Sequence, residues 1–382
     1  MNRPPAVPQA ILDAAAAGSR PLVEAIQAAG GAPLQDGRST TFLYVGEAEA
    51  VGLHHWMDIF PRLPAFTRVA GTDLWMLTID LPERSRIEYK LSVKGPARRR
   101  LVLDHLNPHR ARDPFGTNSV VTGPLYERPD WSVPRPDAAP GTIRHLEVAS
   151  SVFGDVRRVG LYVSPGDGPG PRPLIMAHDG SEYVEYAALA VVLDNLVAAG
   201  AVPPLACALS DPHDRLHEYT GDDRHADHVV HELLPAVAAE VAIDPRRRVA
   251  LGASLGGVAG LHTAWRHPGV FSGLVLQSGS FVTALGGRHH RGAAFAPVVE
   301  FMREFLAAPG PLPGRIHLSC GRFDGLIVEN RILAAQLRER GVSVELEEAA
   351  DGHNWENWRD RLRSGLVHTL ADGVGTLRAE MK

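Results

Sequence analysis

Only two cysteines, Cys207 and Cys320, occur in 382 residues. Both sit in short apolar runs, 205–209 and 316–320, so they read as small buried hydrophobes. That scarcity excludes a disulfide framework and a zinc site built on clustered thiolates. Neither sign of charge dominates: 39 Lys and Arg stand against 44 Asp and Glu, a net charge of -5. A nucleic-acid binder would show a basic face, so no nucleic-acid partner is expected. No apolar run approaches the length of a membrane span, and no membrane partner is expected. The chain opens Met1-Asn2-Arg3-Pro4-Pro5 with no apolar segment behind it, so a secretory leader is not expected and a cytoplasmic location is.

What is present divides along the chain. A length of 382 residues exceeds one ordinary hydrophobic core, which predicts two domains. Apolar positions at helical spacing predict a helix over 10–29. From Thr41 to Leu103 the texture is short strands, predicted at 41–45, 51–57, 74–81, 87–93 and 101–103, rich in β-branched and aromatic residues. Pro129, Pro134, Pro136 and Pro140 then interrupt any regular element and predict a linker. Beyond it, apolar runs at 174–177, 205–209, 249–251, 274–277 and 316–320 alternate with helical stretches at 186–199, 227–241, 255–267 and 329–340. That alternation predicts a parallel sheet covered by helices. The expected boundaries are 1–128 for a small β-sandwich domain, 129–141 for the linker and 142–382 for an α/β domain.

The chemistry concentrates in the α/β part. Val249 to Ala253 runs as a buried strand into Gly252-Ala253-Ser254-Leu255-Gly256, a G-x-S-x-G sequence that opens the next helix. Such a turn holds a serine hydroxyl above a sheet edge, and its glycines remove side chains that would clash there. A serine hydroxyl needs a neighbouring imidazole to take its proton. His353, in Asp351-Gly352-His353-Asn354-Trp355, falls in a loop after an apparent strand 343–346, where this fold type puts its histidine. The acid comes between them in chain order. Asp324 follows the strand 316–320 and is the expected third member, with Glu329 one turn further on as the alternative.

An oxyanion needs two backbone N–H donors. Leu255, after the nucleophile, is one; Ser181, in the strand-ending loop His178-Asp179-Gly180-Ser181, is the expected other. Arg215 and Glu218 lie in a loop at the carboxyl edge of the sheet, where they read either as a loop-pinning pair or as contacts to an anionic or polyhydroxylated substrate. Arg322, Arg288 and Arg291 also lie in loops that follow strands and are candidate substrate contacts. His225, His228 and His231 recur every third residue, but this spacing drifts around a helix and matches no metal motif. They read as a solvated helix face, and neither a metal nor a cofactor is expected.

Taken together, several short motifs resemble one family. They are His178-Asp179-Gly180, Arg215-Leu216-His217-Glu218-Tyr219, Glu232-Leu233-Leu234-Pro235, Gly252 to Gly257, Gln277-Ser278-Gly279-Ser280-Phe281, and Gly352-His353-Asn354-Trp355 with Trp358. The catalytic half resembles esterase-D-like α/β-hydrolases, and the whole chain resembles the enterochelin (ferric enterobactin) esterases. Thr41-Phe42-Leu43-Tyr44, Thr72-Asp73-Leu74-Trp75 and Asp104 to Pro108 resemble the N-terminal sandwich of those enzymes. The resemblance implies an α/β-hydrolase domain with a parallel-rich sheet, preceded by a smaller β-sandwich domain that helps form the substrate cleft. It implies a serine esterase that opens the ester backbone of a catecholate siderophore to release iron. Two other functions fit parts of the pattern: a feruloyl, carbohydrate-type or general carboxylic-ester hydrolase, and a non-catalytic binding protein on a hydrolase scaffold. In each case the partner is a small molecule.

Overall fold

The computed structural model describes residues 7–55, 65–166, 170–286 and 292–371. It divides into two compact units. The first takes in the chain up to Arg128 together with Gly321–Gly325 and Ala349–Asn354; the second takes in Pro129–Cys320, Leu326–Glu348 and the chain from Trp355 on.

The first unit begins with α1 (Gln9–Ala17) and α2 (Ser19–Ala28). The single helix expected over 10–29 is split because Gly18 turns the chain at φ 114°, a value open mainly to glycine. Nine strands follow among the described residues: β1 (Leu34–Asp36), β2 (Ser39–Val45), β3 (Ala50–His55), β4 (Thr67–Arg68), β5 (Leu74–Asp80), β6 (Arg86–Lys94), β7 (Arg99–Val102), β8 (Arg110–Asp113) and β9 (Gly116–Thr122). They form two antiparallel sheets, one ordered β1-β2-β5-β4 and one ordered β3-β6-β9-β8 with β7 on β6. Alternation along β2 and β5 explains the layering. Phe42, Trp75 and Leu77 pack with Val51, Tyr89, Leu91 and Val121 of the other sheet. Leu43 and Leu74 pack with Ile11, Leu22 and Ile26 of the two helices. The result is a sandwich with a helical hairpin on one outer face. Phe323 and Ala350, from far along the chain, complete the inter-sheet core.

The second unit carries one eight-stranded sheet. In chain order its elements are β10 (Thr142–Ser150), β11 (Asp155–Val163), β12 (Arg172–His178), α3 (Gly180–Tyr186), α4 (Leu189–Ala198), β13 (Ala206–Ser210), α5 (Arg215–Glu218), α6 (Asp223–His228), α7 (Leu234–Glu240), β14 (Ile243–Ala253), α8 (Leu255–Arg266), β15 (Gly273–Gln277), α9 (Ala296–Ala307), β16 (Arg315–Gly321), α10 (Ile327–Glu339), β17 (Val344–Ala349) and α11 (Trp355–Leu370). One π turn, Val229–Leu233, joins α6 to α7. The strand order is β10-β11-β13-β12-β14-β15-β16-β17. Neighbours from β13 to β16 pair in parallel, while β10 and β11 add an antiparallel hairpin at one edge. Leu174, Met176, Ala250, Leu274 and Leu276 face a core with α8, α9 and α10. The intervening Ile175, Ala177, Val249, Leu251 and Val275 face a second core with α4 and α11. A strand buried on both faces reads as a continuous apolar run, and that is why these central strands stand out in the sequence.

The proline-containing stretch is held to the second unit. Asn195 Nδ2 donates to the carbonyls of Trp131 and Val133, at 2.9 and 2.8 Å, and one 3-10 turn spans Asp130–Ser132.

Candidate active site

Ser254 sits between the last residue of β14 and the first of α8, with φ 56° and ψ -116°. A non-glycine residue at positive φ is strained, and the surroundings must hold it there. Three features do so. Ser254 N–H donates to Gln277 O (2.9 Å), and Ser254 O accepts from Ser280 N–H (3.1 Å). At Gly252 a Cβ would lie 2.2 Å from the Gly256 carbonyl oxygen, so only glycine allows the turn to close. At Gly256 a Cβ would meet His178 Cβ at 3.1 Å and Asp179 Oδ2 at 3.2 Å. The Ser254 hydroxyl lies 3.2 Å from Ser280 Oγ. Leu255 opens α8, so its amide is one of the first four that find no carbonyl within the helix.

A second layer ties this turn down. Gln277 accepts from the Tyr183 hydroxyl (2.7 Å) and donates to Trp358 O (2.9 Å), and Trp358 Nε1 donates to Ser278 Oγ (3.1 Å). Asn330 clamps both backbone groups of Gly279, accepting from its N–H at 3.2 Å and donating to its carbonyl at 2.9 Å. These supports lie on four elements far apart in sequence, which motif reading from the nucleophile alone does not reach.

His353 and Asp324 both belong to loops of the first unit, one following β17 and the other following β16. His353 Nδ1–H donates to Asp324 Oδ2 at 2.8 Å. Asp324 is 1% exposed, whereas the His353 side chain keeps 30% of its surface open. The two loops are joined by Phe323 N–H to Asp351 O (3.0 Å) and Arg322 N–H to Ala349 O (2.6 Å).

Other expected residues are arranged differently. Arg215 and Glu218 do not pair with each other. Arg215 forks onto Asp179, with Nε–Oδ1 at 2.9 Å and Nη2–Oδ2 at 2.8 Å, and reaches Ala253 O at 3.4 Å. It thereby fixes the loop after β12. Glu218 is buried, bonded to Arg157 Nη1 at 2.8 Å and to the N–H groups of His213 and Asp214 at 3.0 Å. The expectation that Glu218 touches substrate is therefore corrected: its oxygens are occupied beneath the surface. The physical reason is that a strand distant in sequence, β11, supplies the arginine.

Ser181 N–H donates to Asp211 Oδ1 at 3.1 Å, so that amide is engaged in this structure. Asp179 N–H is also engaged, by the Tyr219 hydroxyl at 3.3 Å. Arg322 has an exposed side chain. Arg288 and Arg291 lie outside the described residues.

Of the three regularly spaced histidines, His231 is exposed as expected, but the other two are not part of a solvated face. His225 and His228 are both buried. His225 packs against the rings of His178 and Tyr219, with centroids 5.3 and 4.9 Å away. Burial holds the imidazole of His178 down to about 4 and that of His225 well below its usual value, so both are neutral. His228 bonds Glu232, which in turn accepts from Ser150, Ser151 and Val152 at the β10–β11 turn. Among the described residues, the metal-type ligand atoms that converge are those of Asp227, His231 and His267, within 4.8 Å of one another. His267 and Asp227 are already hydrogen-bonded there at 3.0 Å.

Next to His353 the first unit forms a half-open cavity of about 330 Å³. Arg86, Lys90, Asp113, Phe115 and Asn118 of the sandwich line it together with Gly352–Asn354. Phe115 is 94% exposed, an uncovered aromatic face at the turn between β8 and β9.

A parallel-rich α/β sheet, a strained serine at a strand-to-helix turn and a buried carboxylate behind a half-open imidazole describe a carboxylic ester hydrolase. The chain belongs to the family described as "Putative esterase", whose model matches residues 150–369. It is 26% identical over 343 residues to the iron(III) enterobactin esterase of Escherichia coli O6:H1, spanning 82% of this chain and 83% of that one. It is 36% identical over 254 residues to the iron(III) enterobactin esterase of Dickeya dadantii, spanning 60% of this chain and 55% of the relative. Among solved structures, the ferric enterobactin esterase of Salmonella typhimurium matches with a TM-score of 0.70 at 23% identity, over 89% of this chain and 95% of that one.

Proposed function

We propose that this chain is a serine esterase that hydrolyses the ester bonds of an enterobactin-type catecholate siderophore, with Ser254 as nucleophile, His353 as general base and Asp324 as its orienting acid. The observation that carries the substrate is that similarity to iron(III) enterobactin esterases runs over 82% of the chain and so includes the sandwich as well as the hydrolase part. The chemistry is supported by the strained turn at Ser254 and by the Asp324–His353 hydrogen bond.

In the mechanism, Asp324 holds the tautomer in which Nδ1 carries the proton, leaving Nε2 to accept one from the Ser254 hydroxyl. The serine oxygen adds to the ester carbonyl carbon, and the oxyanion is met by Leu255 N–H. With Asp179 and Ser181 amides engaged, Gly180 N–H is the donor we assign in the loop after β12, in place of Ser181. The imidazolium then gives its proton to the departing alkoxide. Water repeats the sequence on the acyl-enzyme and frees Ser254. For a trilactone the first turnover opens the ring. Each cut weakens the hold on iron, because three tethered catecholates owe their grip to high effective concentration.

The cavity beside His353 is sized for one ring-sized arm rather than a whole siderophore. Phe115 offers a stacking face for it, and Lys90 offers a cation. Domain limits of 1–128, 129–141 and 142–382 and a cytoplasmic location complete the proposal. Among the described residues no helix is long and apolar enough to cross a membrane. The test is product analysis by mass spectrometry on ferric enterobactin, a feruloyl sugar and p-nitrophenyl acetate. Turnover of the siderophore into linear fragments, with feruloyl sugar untouched, is expected. Turnover of the sugar ester alone would leave an esterase with a different substrate.

A further inference from the structure

We propose that Arg86 is a positioning residue for catalysis: from the start of β6 in the second sandwich sheet it clamps the loop that carries the general base. The inference rests on His353 being that base. It gives the sandwich a role in the chemical step itself, separate from any part in holding substrate.

The geometry is specific. Arg86 N–H donates to Ala350 O at 3.0 Å. Its guanidinium Nη1 donates to Asn354 Oδ1 at 3.1 Å, one residue past His353, and stands 3.9 Å from Asp351 Oδ1. Asp351 Oδ1 in turn accepts from Gly352 N–H and from Asn354 Nδ2, both at 2.7 Å. The loop is thus tied immediately before and immediately after His353. On the sandwich side Arg86 Nη1 donates to Glu88 Oε1 at 3.0 Å, and Asn118 Nδ2 donates to Glu88 Oε2 at 2.8 Å. Arg86 is 4% exposed and Glu88 and Asp351 are similarly buried. A charge buried this deeply is retained only with partners, and removing one partner leaves the others uncompensated. The same loop presses against the one that carries Asp324. At Gly321 a Cβ would lie 2.1 Å from the Asp351 carbonyl oxygen, so the approach is closed to any other residue. Base and acid therefore share one rigid frame, whose outermost anchor is Arg86. A misplacement of about 1 Å in a catalytic group costs on the order of 100-fold in rate.

Arg86 also lines the cavity beside His353, so a substrate-binding role is the rival. A small neutral ester separates the two. kcat and KM would be measured for p-nitrophenyl acetate and ferric enterobactin in Arg86→Met, Arg86→Lys, Glu88→Gln and Asn354→Ala, with melting curves and fluorophosphonate labelling rates. Asn354→Ala removes one anchor without stranding a charge and remains informative if Arg86→Met does not fold. The expected result is a fall in kcat of roughly 10- to 100-fold on both esters in Arg86→Met and a smaller fall in Asn354→Ala. KM for the acetate should stay within about threefold, and Arg86→Lys should recover part of the rate. Lower melting temperature with unchanged kcat would overturn the inference in favour of a purely structural role. A rise confined to KM for the ferric complex would overturn it in favour of binding. His353→Ala keeps the layers distinct: if that variant stays active, the base assignment fails; if it is dead while the clamp variants keep full kcat, only this inference fails.

Discussion

Replacing Asp324 with asparagine changes one oxygen for one nitrogen at a site 1% exposed, so it alters charge and hydrogen-bond direction with almost no change in volume. Two effects follow. In the transition state His353 is a cation, and the carboxylate that accepts from its Nδ1 at 2.8 Å stabilises it. For charges roughly 4 Å apart at an effective dielectric near 20, that attraction is about 4 kcal/mol. Through the rate expression this is on the order of 10³-fold. The amide can also turn its NH₂ toward Nδ1, which selects the tautomer with the proton on Nε2 and disables the base. Together these predict a loss in kcat of about 10³- to 10⁴-fold, with KM little changed. Steady-state hydrolysis of p-nitrophenyl acetate reads it, and a thermal melt checks that the variant is folded. Glu329→Gln provides the comparison; Glu329 is half-buried on α10 and, with no part in the proposed triad, should cost less than about tenfold in kcat, any stability change being read separately in the melt. If Asp324→Asn keeps a tenth or more of the rate while Glu329→Gln loses orders of magnitude, the acid is misassigned and the reasoning fails.

Gly252→Ala should abolish activity and lower stability by about 1–3 kcal/mol, because its Cβ would lie 2.2 Å from the Gly256 oxygen. A variant with wild-type melting and turnover would contradict the proposed turn geometry. Acid should destabilise the fold between about pH 6.5 and 4: burial depresses His178 and His262 to about 4, so the unfolded chain takes up protons that the native one refuses. Each adds a slope of up to about 1.4 kcal/mol per pH unit between those limits; the stabilisation is present in full above 6.5 and is lost as pH falls toward 4, and urea midpoints that do not move over this range would refute it. Glu182 acts in the opposite sense. Burial, with Asp179 second, raises its carboxyl to about 7, so its charging costs stability as pH rises from 4.5 to 7. Discounted for partial exposure, Glu182→Gln should gain about 1–2 kcal/mol at pH 8 and little at pH 5, measured by the same urea titration.

How much the sequence discloses depends on whether the governing interaction is local. The G-x-S-x-G turn is legible because its tightest clash is local, Gly252 against the Gly256 carbonyl, although Gly256 answers to His178 and Asp179 from another strand end. The central strands are legible because burial on both faces leaves each with a run of mostly apolar residues. The hairpin β10–β11 escapes because β10 is mostly exposed and polar, with no apolar run to mark it. β8 escapes for the same reason at the sandwich edge, and β9 escapes because, although mostly buried, its sequence Gly116–Thr122 is largely polar and carries no apolar run beyond Val120 and Val121. Partner choice is harder still. Arg215 and Glu218 are near neighbours in sequence, yet one finds Asp179 in the loop after β12 and the other Arg157 on β11. Spacing of three made His225 and His228 look solvated, but the helix that holds them buries that face against His178 and Phe153. The membership of Phe323 and Ala350 in the sandwich core rests on contacts more than 200 residues long and has no local signature.

The claim on which the account turns is that Ser254 attacks the ester. Incubating the full chain with a fluorophosphonate and mapping the adduct by peptide mass spectrometry tests it in one step. A single stoichiometric adduct on the peptide containing Ser254, absent in Ser254→Ala together with nearly all ester hydrolysis, is the result the account predicts. An adduct on another serine, or a Ser254→Ala protein that turns over esters at the wild-type rate, would contradict it.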